Sequence, residues 1–354
     1  MLPLFKPKIG SLFGMDISST AVKVLALSRS HDHYVVEKYA RIDLPENVME
    51  GGVIKEADLV LDHIKRLLKT NQIRSRQVAL AVPEGAAISR TIQVNEGLTD
   101  QEIEELLIME ADKYIPYPIE EVSLDFNVLG PSAKNPAMQE VLLVASRTEN
   151  ITHRVELVQR AGLLVSIVDV ESYAIERAVQ LLKQELPNGG EKKNIAFIEF
   201  GGTNTHLFVL HDMKIIFSRE EVFGGNQLLD NIMQTFGLTR SAALLALDQG
   251  SLPENYESDV LRPFMELLFL QVKRSLQFFF STSHHTAVDH LILAGGLAQL
   301  PRLAQLMQEQ VNIPTTVANL FAHMSVASTV DSAALTHDAP RLLIACGLAL
   351  RQFE

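Results

Sequence analysis

One short pattern occurs twice in this chain, and it limits the open folds more than any other feature. Leu12-Phe-Gly-Met-Asp-Ile-Ser-Ser-Thr-Ala-Val-Lys-Val-Leu-Ala-Leu27 reads as an apolar strand, a turn of small residues and a second apolar strand. Phe197-Ile-Glu-Phe-Gly-Gly-Thr-Asn-Thr-His-Leu-Phe-Val-Leu210 repeats it without a gap: Asp16 falls on Glu199, Ser18-Ser19 on Gly201-Gly202, Thr20 on Thr203 and Leu27 on Leu210. Small turn residues let backbone N–H groups approach an anion, and a carboxylate beside them can hold Mg2+ through water. An ordinary hairpin turn accounts for Ser-Ser-Thr but not for an acid that recurs in both copies. Two copies imply two related halves, each presenting a turn to one shared phosphate chain.

At 354 residues the chain has length for two domains, and with 47% hydrophobic residues it can build a sizeable core. Its formal charge of −12 disfavours direct binding of nucleic acid or anionic lipid. The lone cysteine, Cys346, lies in an apolar run and reads as a core residue; no internal disulfide can form, and a reducing compartment fits. The start, Met1-Leu-Pro-Leu-Phe-Lys-Pro-Lys8, lacks the apolar core and cleavage site of a signal peptide. No apolar run reaches the roughly 18 residues of a membrane span, so no direct membrane insertion is expected.

Taken in order, the first hairpin is followed by a strand at Tyr34–Ala40, an amphipathic helix at Ala57–Leu68 and a buried strand at Val78–Val82. That β-β-β-α-β order is an α/β signature with a mixed sheet. From Arg90 to Asp125 carboxylates far outnumber the two bases, Arg90 and Lys113; this is a solvated face or a partner surface. Within it Thr99 and Glu102 have the spacing of a capping box, and the helix they start must end before Pro116. Strands at Val122–Val128 and Val141–Ala145 complete an α+β insertion. A helix at Asn150–Arg160, a strand at Val165–Val168 and a long helix at Glu171–Gln184 follow. Leu186-Pro-Asn-Gly-Gly190 is the candidate boundary between the halves. The second half repeats the hairpin. It adds a strand at Ile215–Arg219, a helix from Phe223-Gly-Gly-Asn226 to about Phe236, further helices to Phe280, a strand at Leu291–Ala294 meeting Gly295-Gly296, and helices from Leu303 and over Pro340–Leu350.

There is no G-x-x-x-x-G-K-[ST] loop, and no G-x-G-x-x-G follows a strand. The histidines lack metal-ligand spacing. Instead, Asp16-x-Ser-Ser-Thr20, Glu199-x-Gly-Gly-Thr203 and Leu291-Ile-Leu-Ala-Gly-Gly296 resemble the phosphate-1, phosphate-2 and adenosine motifs of the actin/Hsp70/sugar-kinase ATP-binding superfamily. Ile115-Pro-Tyr-Pro118 and Gly162-Leu-Leu-Val-Ser-Ile-Val-Asp-Val-Glu-Ser-Tyr-Ala174 are similar to the PilM family within it, the FtsA-like proteins of type IV pilus assembly. The likeness covers nearly the whole chain.

The resemblance implies an α/β, actin-like (ribonuclease H-like) fold of two lobes with an FtsA-type inserted subdomain. Residues 1–83 would begin the first lobe, 84–147 form the insertion and 148–190 continue the lobe with a crossover helix. Residues 191–339 would make the second lobe, with an upper helical part at about 226–286, and 340–354 a closing helix. It implies ATP or ADP with Mg2+. The phosphates would meet Ser18, Ser19, Thr20, Lys23, Gly201, Gly202, Thr203 and Asn204. The adenosine would meet Gly224, Gly225, Asn226, Lys273, Arg274, Gly295 and Gly296. Asp16, Glu199 and Glu171 would face the metal. Lys273-Arg274 read equally well as a solvated helix face, and Glu171 as a carboxylate favoured by its helix dipole. Glu199 is one methylene longer than the usual Asp and no catalytic residue is evident, so hydrolysis is expected to be slow or absent. The implied role is a cytoplasmic scaffold at the inner face of the inner membrane, recruited through the N-terminal tail of the bitopic protein PilN. That tail would lie in a groove framed by Tyr114, Pro116, Tyr117 and Pro118. Contacts with pilus motor ATPases and platform protein, and self-association, stay open. So do three other readings: a sister type II secretion scaffold, an FtsA-like polymer-forming protein, and a sugar or acetate kinase with Asp169 as its nominated base. The end of the chain at Leu348–Glu354 shows no basic amphipathic anchor of the FtsA kind.

Overall fold

The computed structural model describes residues 12–30, 33–132 and 135–354; the Met1–Lys8 segment lies outside them. The first hairpin forms as β1 (Phe13–Ile17) and β2 (Ala21–Ser30), followed by β3 (His33–Asp43), a small β4 (Met49–Glu50) and β5 (Val53–Ile54) pair, α1 (Ala57–Thr70) and β6 (Gln77–Val82). Every residue of β1 and the first seven of β2 are buried. These strands therefore read as continuous apolar runs rather than alternating ones, as strands covered on both faces do. Helix α1 buries Val60, Leu61, Ile64 and Leu67 at i, i+3/i+4 spacing.

The chain from Glu84 to Arg147 folds as β7 (Ala87–Asn95), α2 (Asp100–Met109), β8 (Val122–Pro131) and β9 (Met138–Arg147). Its sheet has the order β7-β9-β8, antiparallel throughout. Thr99 caps α2 with both bonds of the capping box: its hydroxyl accepts from the Glu102 N–H, and Glu102 accepts from the Thr99 N–H at 2.8 Å. A 3-10 turn at Ala111–Lys113 ends the helical run before Pro116. Ile92, Ile103, Leu107, Ile115, Val141 and Leu143 form a core of their own for this piece. Within this piece, strand β7 is the element that the sequence reading lacks. Its stretch Ser89-Arg90-Thr91 is exposed throughout, and the buried apolar alternation begins only at Ile92 and Val94.

Helix α3 (Thr148–Arg160) leaves β9 directly and leads through a turn at Gly162 (φ +83°) into β10 (Leu164–Val170). Helix α4 (Glu171–Val179) is shorter than expected, because Gln180–Glu185 tightens into 3-10 geometry. Apolar spacing over a few turns does not separate the two helix types. Strands β1 and β10 both run parallel to β6, and the sheet order is β10-β6-β1-β2-β3, with the short strand Ser325–Val326 parallel to β3 at the far edge.

The second hairpin is β11 (Asn194–Phe200) and β12 (Thr205–His211), joined by β13 (Lys214–Glu221). Then come α5 (Gly225–Phe236), α6 (Arg240–Gln249), a π turn at Glu257–Leu261, α7 (Arg262–Thr282), β14 (His290–Gly295), α8 (Leu303–Val311), β15 (Thr315–Val317), β16 (Ser325–Val326), α9 (Ser332–Asp338) and α10 (Leu343–Leu350). A 3-10 turn at Ala339–Arg341 precedes α10, so the closing α-helix begins at Leu343 rather than at Pro340. The sheet order is β13-β12-β11-β14-β15, with β14 parallel to β11 and β12 antiparallel to it. Ile198, Phe200, Leu207 and Leu293 on this sheet pack with Leu228, Ile232, Leu268 and Phe279 from the helices. All of α10 is buried, Cys346 included, and burial pushes the Cys346 thiol pKa well up.

Contacts divide the chain into two compact units. Of the described residues, one comprises 12–24, 40–132, 135–174 and 351–354; the other comprises 25–30, 33–39 and 175–350. Each contains one hairpin turn.

Candidate functional site

In the first unit the β1–β2 turn is held mostly by itself. The Ser18 N–H donates to the Ala21 carbonyl at 3.0 Å, the Ser18 hydroxyl donates to the same oxygen at 3.0 Å, and the Thr20 carbonyl accepts from the Leu44 N–H at 2.8 Å. Asp16, 3% exposed, accepts from the Lys23 ammonium at 2.8 Å. The expected metal residue and the expected phosphate cation thus form a buried cross-strand ion pair. Arg154 of α3, 5% exposed, reaches the base of the same turn. It donates to the Ile17 carbonyl at 3.5 Å and to the Gly52 carbonyl at 2.8 Å. Burial lowers the guanidinium pKa, and the negative fields of Glu171 and Asp16 oppose that shift. Glu171 opens α4. Among the described residues no group of three or more His, Cys, Asp or Glu side chains is placed to share a metal ion.

In the second unit the structure brings most of the expected glycines together. The N–H groups of Gly225 and Asn226 open α5 and would have no intrahelical partner; they donate to the carbonyls of Gly201 at 2.9 Å and Gly202 at 2.8 Å. The β11–β12 turn is thereby clamped to the start of α5. A Cβ on Gly224 would overlap the Gly202 carbonyl oxygen and lie 2.8 Å from that of Gly201, so a glycine is required for this approach. Gly295, at φ +83° and in register with Phe200, is pressed against the Phe200 backbone. Gly296 differs: a Cβ there would meet only the Arg341 guanidinium, at 3.8 and 4.0 Å. Arg341 is steadied by Asp338 at 3.2 Å, and Asp338 also accepts from the Tyr39 hydroxyl.

The remaining expected residues have placements of their own. Thr203 is exposed, the Asn204 side chain donates to Glu220, and the Asn226 side-chain Oδ1 accepts from Arg240 at 2.8 Å. On α7, Lys273 donates to Gln310 of α8 at 2.8 Å and Arg274 is exposed. Glu199 is half-buried on β11, next to Ala294 of β14 and His206 of β12. Asp169 is held by the Val170 N–H at 2.8 Å and lies 3.8 Å from Arg351, an arrangement that ties up the one carboxylate nominated as a kinase base. The sequence reading missed Arg154 and Arg341. Arg154 was detectable as a cation on the apolar face of its helix, at i, i+3, i+4 with Leu157 and Val158.

On the insertion, Ile115 is buried while Pro116, Tyr117 and Pro118 are exposed. Tyr114 is half-buried against the insertion's own core, and its hydroxyl donates to Glu110 at 3.3 Å. The Arg147 guanidinium lies 5.4 Å from the Tyr117 ring centroid, within cation–π range. Ile108 and Met109 at the end of α2 are exposed nearby in sequence.

The profile described as type IV pilus assembly protein PilM matches residues 14–353. The chain belongs to the PilM family. A solved structure described as a PilM-PilN type IV pilus biogenesis complex is similar to it at 27% identity and a TM-score of 0.79, covering 98% of this chain and all of that one. The ethanolamine utilization protein EutJ from Carboxydothermus hydrogenoformans shares the fold at 16% identity and a TM-score of 0.59, over 98% of this chain and 91% of that one. The architecture is therefore the actin-like ATPase fold in its PilM form, with the inserted subdomain of FtsA-like relatives. Among the described residues no helix is long and apolar enough to cross a membrane.

Proposed function

We propose that this PilM-family chain is a nucleotide-binding scaffold of the type IV pilus machine. It would hold the N-terminal tail of a PilN partner at the inner face of the inner membrane and connect it to the cytoplasmic motor. The observation that carries this reading is the likeness, over 98% of the chain, to a PilM-PilN complex. The exposed Pro116-Tyr117-Pro118 stretch supports a tail site on the insertion. Proline removes donors and fixes φ, and Tyr117 offers an apolar face with a polar tip. A tail with apolar anchors and a basic residue would match this acidic piece as an ordered peptide.

For the nucleotide, the glycine cluster in the second unit supports a phosphate and adenosine site. Gly296 keeps an open α-carbon beside a cation, a cradle that a side chain would narrow. As the family resemblance implies, Ser18, Ser19, Thr20, Gly201, Gly202, Thr203 and Asn204 would be the phosphate-binding residues. Gly224, Gly225, Asn226, Gly295 and Gly296 would face the adenosine, with Lys273 and Arg274 as outer contacts. Asp16, Glu199 and Glu171 would accept from water around Mg2+, which would supply charge neutralisation to the phosphates. Lys23 neutralises Asp16 at 2.8 Å, so it is placed either to stay with that carboxylate or to turn to a phosphate. Co-purification from native membranes with the full chain as bait tests the scaffold role. Recovery of PilN supports it, and recovery of the motor without PilN contradicts it.

A further inference from the structure

A buried guanidinium has to be accounted for. Taking a cation out of water is costly unless partners offset it, and an aliphatic residue at position 154 would cover the same face of α3 without that cost. Arg154 donates its hydrogen bonds to two backbone carbonyls in separate segments, one at a strand end and one in a turn. Ile17 is the last residue of β1, immediately before Ser18. Gly52 lies in the β4–β5 turn at φ +79°, packed so closely that a Cβ there would come 2.7 Å from Pro83 Cγ. Pro83 is the residue before the insertion begins, and α3 itself starts where β9 ends. The surrounding charge is balanced: Lys23 and Arg154 stand with Asp16 and Glu171. A planar fork can hold two carbonyls at once, whereas a lysine ammonium on the same stem acts as a point donor.

We propose that Arg154 is the positioning residue of the Ser18–Thr20 turn, fixing its entry carbonyl at Ile17 and tying it through Gly52 to the chain that enters the insertion. This rests on the reading of that turn as a phosphate site. Arg154 itself touches no ligand; it sets the turn's backbone so that Ser18, Ser19 and Thr20 meet the phosphates.

The test uses the full chain with Arg154→Lys, which keeps the charge and loses the fork, and Gly52→Ala, which disturbs the other end of the same brace. Two measurements are made on each: binding of ADP and of adenosine by calorimetry, and amide exchange at Ser18, whose N–H is bonded to Ala21. Faster Ser18 exchange together with ADP affinity lowered about tenfold, and adenosine affinity unchanged, is the expected result. Equal losses for ADP and adenosine, or unchanged Ser18 exchange in a folded variant, overturn the proposal. If Arg154→Lys does not fold, Gly52→Ala decides by the same criteria. If the unaltered chain binds no nucleotide, the functional reading fails, while faster Ser18 exchange in the variants still supports the positioning role.

Discussion

Gly295 and Gly296 are neighbours, yet they should respond in opposite ways to the same substitution. Gly295 has φ +83° and ψ −174°, a region open essentially to glycine alone, so alanine there carries about 1–3 kcal/mol of backbone strain. Its Cβ would also overlap the Phe200 carbonyl oxygen and lie 2.7 Å from the Phe200 carbonyl carbon and nitrogen. Those are strand backbone atoms in register with Gly295, so relief requires parting the end of the β11–β14 ladder. Losing one or two of its hydrogen bonds adds roughly 1 kcal/mol each. The sum is about 3 kcal/mol, which in a unit of this size lowers the melting temperature by roughly 6–12 °C. Gly296→Ala meets only a guanidinium at ordinary contact distance. It should melt within about 2 °C of the parent while narrowing the face offered to nucleotide. Scanning calorimetry of both variants, followed by ADP titration of Gly296→Ala, is the assay. A Gly295→Ala protein that melts like the parent would refute the argument from close approach. So would a Gly296→Ala protein that melts as low as Gly295→Ala.

Three further outcomes are expected. Asp16→Asn should weaken Mg-ATP binding in calorimetry by about 1.5–3 kcal/mol; it is preferred to Asp16→Ala because it leaves Lys23 a hydrogen-bond acceptor, and unchanged affinity would remove Asp16 from the site. Burial lowers the His290 pKa below its usual 6.5, so the neutral ring stabilises the fold fully above about pH 6.5. That contribution fades as pH falls toward the folded pKa, with a slope of at most about 1.4 kcal/mol per pH unit. His290→Gln should flatten the denaturation midpoints measured across that range. Purified protein alone should turn ATP over more slowly than the ordinary enzyme scale of about 1–10³ s⁻¹, as read by phosphate release.

Much of the fold could be read in the sequence because its signals are local. The Thr99–Glu102 capping box, the strand-turn-strand pattern of each hairpin and the strand-to-glycine join at Gly295 each lie within one short stretch of chain. What escaped depends on partners far away in the chain. The Arg154 brace joins residues of three separate segments, and Arg341 reaches Gly296 from the turn before α10. The Asp16–Lys23 pair is close in sequence, but both side chains are of types that bind ligands, and their spacing alone does not distinguish an internal ion pair from two ligand contacts. The clamp of Gly201 and Gly202 on the start of α5 uses backbone atoms alone, and side-chain patterns carry no trace of it.

The scaffold account is tested most directly by titrating a synthetic PilN N-terminal tail peptide into the full chain and into Tyr117→Ala. Tyr117 is exposed, so its loss should leave the insertion's core intact, as circular dichroism can verify. The parent should bind the tail and the variant should bind it about tenfold or more weakly, the loss typical of an aromatic anchor. A folded Tyr117→Ala protein that binds the tail as tightly as the parent would contradict it.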